Sequence, residues 1–287
     1  MKLKTYTYIW LILTFWLSYE YLIFNKVFQG TSAFMKLQPL VGYKSTNKID
    51  PSPGASLSYF FGWLGFGLMC TTNLYILRKK LPSLQKVGKL SGWLDFHIFC
   101  GLMGPTFIVF HSNFKVNGLV AIAFWCMIIT VASGMVGRYI YFQLLTAKGS
   151  MKKDLIRFEN SFEVYRRASS KKISTRDMER IKHNAFLHVG GLAPGGSIKL
   201  TTLNVFTHTI IGDLKSLFLL PPLPFRANRL VRLNLQRYGK LRRRLVSITS
   251  FNKLLGYWHA FHKPFSIFMY VVAVIHIASA LFFRVVR

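Results

Sequence analysis

Five stretches of the chain stay apolar over the length that a helix needs to cross a hydrocarbon layer. They cover residues 6–24, 57–77, 91–111, 118–142 and 264–283, and about 20 helical residues match a bilayer core of roughly 30 Å. Lys2 and Lys4 precede the first run as in a signal peptide, but no small-residue cleavage site follows, so the run is read as a helix. A sixth segment, 201–222, carries His208, Asp213 and Lys215, each costly at mid-bilayer. It is expected at the interface or folded against the membrane face. The stretch 225–246 mixes Leu230, Leu233, Leu241 and Leu245 with arginines, a pattern suited to a helix lying on an anionic leaflet. The expected fold is an all-α membrane protein with five transmembrane helices. Residues 1–56 hold the first helix and an external loop, and residues 57–143 hold helices two to four. Residues 144–256 form a basic, cytoplasmic, membrane-associated loop region, and residues 257–287 carry the fifth helix.

Composition agrees with that pattern. Hydrophobic residues make up 52% of the 287 and charged residues 16%, against roughly a quarter charged in soluble domains. A single water-soluble globule is therefore excluded. The 38 Lys and Arg against 9 Asp and Glu give a net charge of +29. That excess alone suits nucleic acid, but no nucleic-acid-binding module accompanies it, and none is expected as a partner. The placement of the charge points to the membrane instead. Lys2, Lys4, Arg78, Lys79, Lys80, Lys86 and Lys89 share one side with segment 144–261, which has 22 basic and 6 acidic residues. Lys26, Lys36, Lys44, Lys48, Lys115, Arg284 and Arg287 fall on the other. The positive-inside rule puts the first set, and the N-terminus, in the cytoplasm.

Cys70, Cys100 and Cys126 lie inside apolar runs without CxxC spacing. This argues against structural zinc, a cysteine-held iron–sulfur cluster and a covalently attached haem in this chain. The histidines are more informative. Fourteen residues separate His97 from His111 on the third span, and fourteen separate His262 from His276 around the fifth. In an α-helix that interval rises about 21 Å and falls about 40° short of four turns, so each pair faces one way at two depths. Spans three and five run in the same direction, which levels His97 with His262 and His111 with His276. Two facing imidazoles at each level suit a porphyrin iron. Zinc wants three or four ligands at one point. Membrane histidines that are merely hydrogen-bonded, or that line an ion path, are the other reading. It corresponds to a haem-free anchor or a proton or ion transporter subunit.

Gly101 and Gly104 follow His97 on the same helical face, where a missing β-carbon lets a macrocycle edge approach the backbone. Pro105 is expected to bend that helix. Haem propionates need cations, and Arg138 near the inner end of the fourth span is the candidate. His259 lies three residues before His262, but its spacing to His276 disagrees in face, so His262 is the expected ligand. Quinone chemistry would need acid–base groups near a haem edge. Asp95, His259 and Tyr257 lie near the inner level, and Glu20 near the outer end of the first span.

The runs WLDFHIFCGLMGPTFIVFHS, SGMVGRYIY and WHAFHKPFSIFMYVVAVIHI together resemble the four-helix, di-haem b-type cytochrome membrane subunits. That group includes bacterial proteins related to the ferric-reductase transmembrane domain. The resemblance covers spans two to five and rests on the two His pairs. It implies a four-helix bundle with two non-covalent b-type haems on His97, His111, His262 and His276. It also implies electron transfer across a bacterial cytoplasmic membrane, as one subunit of a larger redox complex. Few residues follow the last span, with no flavin or nicotinamide domain, and the basic segment is not a standard part of the bundle. The expected partners are therefore the quinone pool and a separate iron–sulfur, flavin or c-type cytochrome protein, docked on the basic face.

Overall fold

A computed structural model describes residues 3–37, 54–114, 116–145, 151–168, 173–192, 202–223 and 229–285. Lys2, Lys44, Lys48, Lys115 and Arg287, which entered the charge asymmetry, lie outside these. All regular structure among the described residues is helical, and five helices are long and apolar enough to cross a membrane. The chain divides into two compact units, Met1–Gly134 with Pro264–Arg287, and Met135–Lys263.

The first unit contains α1 (Leu3–Phe24), α2 (Ala33–Leu37), α3 (Ser56–Thr71), α4 (Leu74–Lys80), α5 (Pro82–Gln85) and α6 (Leu90–His111). It also holds the first part of α7 (Leu119–Leu145) and the last part of α11 (Arg229–Val285). Helix α6 packs against both α3 and α1. Trp10 on α1 donates its indole N–H to the Thr106 hydroxyl at 3.0 Å, and the Tyr6 ring stacks on Phe99 at 4.9 Å. Helices α3 and α6 cross at Gly65 and Gly104. A β-carbon added to either would stand 2.9 Å from the other's carbonyl oxygen, so the two glycines let the backbones meet. Leu17, Phe61 and Phe110 form one core cluster, and Met69, Cys126, Met127 and Met269 another.

Two local departures shape this unit. Helix α6 continues through Pro105, whose missing N–H deprives the Gly101 carbonyl of its helical donor. The second apolar span is two helices rather than one. Thr72 and Asn73 turn their side chains onto the backbone, the Thr72 hydroxyl to Met69 O at 2.7 Å and the Asn73 amide to Cys70 O at 3.2 Å. Such bonds compete with the helical ladder, and α3 stops there. Glu20 is 1% exposed. Its carboxylate accepts from the Ser32 hydroxyl at 2.5 Å and the Ala33 amide at 2.7 Å, capping α2.

The second unit holds, besides the last part of α7, the helices α8 (Met151–Ala168), α9 (Thr175–His188), α10 (Thr202–Phe218) and the first part of α11. The fifth span is therefore not opened by Pro264. Its helix begins at Arg229, because the residues before Pro264 are rich in leucine and arginine, both good helix formers. Phe162, Met178, Ile181, Ala185, Leu235 and Tyr238 form one core cluster, and Ile140, Val205 and Phe251 a second. The Ser174 hydroxyl caps α9 by accepting from the Arg176 amide at 3.3 Å. Gly190 ends that helix with φ +83°, and a β-carbon there would lie 1.9 Å from His208 O. Only glycine tolerates both conditions.

Arg243 ties this unit together. It is 1% exposed and donates to the carbonyls of Val189 and, at 3.3 Å, Thr209. It also pairs with Asp213 at 2.8 Å. The second Asp213 oxygen accepts from the Tyr139 hydroxyl at 2.8 Å and the Gln143 amide at 3.0 Å. Burial pushes the Asp213 carboxyl up, but the Arg243 guanidinium and the Tyr139 hydroxyl outweigh it and hold the group below its ordinary value. Helix α10 buries Val205, Thr209, Gly212 and Ser216 while exposing Leu203, Ile211, Leu214, Leu217 and Phe218. An apolar face turned outward suits a lipid surrounding.

Candidate ligand histidines

Helix α6 presents His97 in its second turn and His111 as its last residue. His97 Nδ1 lies 2.9 Å from Thr72 O, and His111 Nδ1 lies 2.7 Å from Ser58 O. A carbonyl only accepts, so each ring carries its proton on Nδ1. Nε2 is left with a lone pair and makes no hydrogen bond among the described residues. The Tyr75 ring sits 5.6 Å from that of His97.

His276, on α11 and in the same unit, brings its ring to 6.5 Å from that of His111, with the planes 65° apart. These two belong to one of the pairs that the equal spacing predicts. His97 and His262 fall in different units. The His262 ring stacks on Trp258 at 4.9 Å, and Trp258 in turn covers Gly137, where an added β-carbon would lie 2.1 Å from the indole. His259 donates Nδ1–H to Leu255 O at 2.8 Å, within its own helix.

The supporting residues separate into those beside open space and those in contact with protein. Gly101 faces open space, with nothing within 4 Å of an added β-carbon. Gly104 faces α3, where Met69 and Gly65 would meet such an atom. Arg138 is half-buried on α7, Asp95 is half-buried one turn into α6, and Tyr257 is exposed on α11. Glu20 has both oxygens engaged by the cap on α2. Sequence reasoning missed Ser58, Thr72 and Tyr270, which touch the candidate ligand histidines or the turn beside them. One signal was available: Ser58 and Thr72 are also fourteen residues apart.

Among the described residues no three His, Cys, Asp or Glu side chains gather at one point. No protein-family model matches this chain, and neither a curated protein nor a solved structure matches it.

Proposed function

We propose that the protein conducts electrons across the membrane through two b-type haems, each held between two imidazoles. His111 and His276 would hold one, and His97 and His262 the other. The observation that carries this reading is the His111–His276 ring separation of 6.5 Å. Two imidazoles on one metal, each bonded at about 2 Å, set their ring centres roughly 6 Å apart. The donor set supports the same reading, because neutral imidazole with its far nitrogen bonded to a carbonyl is the usual state of a metal-bound histidine. The open space beside Gly101 leaves room for a macrocycle edge. Bound haem supplies one-electron redox chemistry.

In this reading the chain's own residues fix the ligand tautomers, exclude water through the apolar core and counter the propionate charge, for which Arg138 is the proposed cation. The two levels, about 21 Å apart along a helix, divide the bilayer into short tunnelling steps. The chain then serves as the cytochrome b subunit of a larger complex. It exchanges electrons with a quinone or a redox protein, with Asp95, His259 and Tyr257 as the proposed inner acid–base groups. Glu20 is the proposed outer one. A bacterial cytoplasmic membrane with the N-terminus inside is the proposed setting.

The test is a pyridine haemochrome assay on the full chain purified in mild detergent, expected to give two b-type haems. His111→Ala and His276→Ala are each expected to lose one haem, the same one. Absence of haem from the wild type overturns the reading in favour of a haem-free anchor or ion transporter.

A further inference from the structure

Helix α3 contributes no histidine, yet His111 of α6 is bonded to its first turn and His97 to Thr72, the residue that caps its end. Ser58 and Thr72 are fourteen residues apart, the same interval as His97 and His111. Their carbonyls receive His111 Nδ1 at 2.7 Å and His97 Nδ1 at 2.9 Å. The helices run antiparallel and share one rise per residue, so residue 58 meets 111 while 72 meets 97.

At the outer level the contact is doubled. Ser58, 3% exposed, also donates its hydroxyl to His111 O at 2.7 Å, and that hydroxyl lies 3.3 Å from Nδ1. One turn further along α3, a β-carbon on Gly62 would fall 2.8 Å from His111 Nδ1 and 2.9 Å from Cε1. Glycine at 62 is what leaves the ring its place.

At the inner level the Thr72 carbonyl can accept from His97 because α3 has ended there. That turn is pinned from α11. The Tyr270 hydroxyl donates to Met69 O at 2.5 Å, accepts from the Asn73 amide at 3.3 Å and lies 3.4 Å from the Thr72 hydroxyl.

We infer that α3 is the positioning helix for both ligand levels. Ser58 and Gly62 set the His111 imidazole, and Tyr270 sets that of His97 through the Thr72 turn. The inference rests on the haem reading above and adds residues to it. A carbonyl bonded to Nδ1–H raises the basicity of the coordinating nitrogen and favours the oxidised metal, so loosening either anchor raises the reduction midpoint of the haem at that level.

The experiment is a potentiometric titration, followed optically and by electron paramagnetic resonance, of the wild-type holoprotein and of Ser58→Ala, Gly62→Ala and Tyr270→Phe. Ser58→Ala is expected to raise the midpoint of one haem and Tyr270→Phe that of the other, each leaving the second unmoved. Gly62→Ala is expected to alter the spectral signature of the haem that Ser58→Ala affects. Loss of only that haem from Ser58→Ala or Gly62→Ala supports the same assignment. The inference is overturned if both midpoints and both signatures stay at wild-type values, if Ser58→Ala and Tyr270→Phe move the same haem, or if either moves or loses both. Haem content separates the two failures: wild-type protein without haem removes the underlying reading, whereas two haems with unmoved midpoints remove only the role of α3.

Discussion

At the scale of single residues, Arg243 and Asp213 show how a charge can sit in an apolar chain. The guanidinium bridges two carbonyls and a carboxylate, so its charge is balanced and most of its donors are used. Removing one partner of a buried pair leaves the other uncompensated and costs about 3 kcal/mol or more. Arg243→Met, which keeps much of the apolar stem, is therefore expected to lower the thermal midpoint of the detergent-solubilised chain. The pH dependence has a definite sign. The folded Asp213 carboxyl lies below its ordinary value, so its contribution is complete above about pH 3.9 and is lost as pH falls through the folded value. Asp213→Asn is expected to be less stable than wild type at neutral pH, with the gap narrowing on acidification. A gap that stays constant between pH 7 and pH 3 would remove Asp213 from the account. The sequence marked Asp213 as expensive in a membrane but could not name its partner, since Arg243 is one of nine basic residues between 226 and 253.

At the scale of elements, the α3–α6 crossing is the contact on which the histidines depend. In a bilayer the lipid tails are as apolar as leucine, so helices associate through close packing rather than burial. Gly65 and Gly104 provide that packing. Gly104→Val would force the helices apart and withdraw the carbonyls of Ser58 and Thr72 from both imidazoles together. Under the proposed function this variant is expected to lose or perturb both haems at once, read in the haemochrome assay, whereas Ser58→Ala alters one. A Gly104→Val protein with wild-type haem content and spectra would count against the crossing as the support of the site. Helical periodicity places Gly104 on the His97 face, but a helix face can be filled by another helix. Only the neighbours distinguish Gly104, against α3, from Gly101, beside open space.

At the scale of the whole molecule, the basic residues sort by side under the proposed orientation. Cysteine labelling tests it in a background where Cys70, Cys100 and Cys126 are replaced by serine. Asn117→Cys, exposed between α6 and α7, is expected to react with a membrane-impermeant maleimide in intact cells. Ser161→Cys, exposed on α8, is expected to react only after permeabilisation. The reverse pattern would invert the topology and place Met135–Lys263 outside.

The sequence by itself determined the five apolar spans and the even spacing of the histidines, because span length and helical rotation are local properties written in consecutive residues. It also marked segment 201–222 as unsuited to mid-bilayer, from its charged side chains alone. Tertiary structure decided the rest. Arg243 finds its partners, Asp213 and the Val189 and Thr209 carbonyls, far away in the chain, and α11 begins well before Pro264 because a proline forgoes one hydrogen bond without forcing a helix to start. The carbonyls that hold His97 and His111 belong to Thr72 and Ser58, at the two ends of a helix without a histidine. Backbone atoms carry no residue signature, so nothing short of the packed structure assigns them a part.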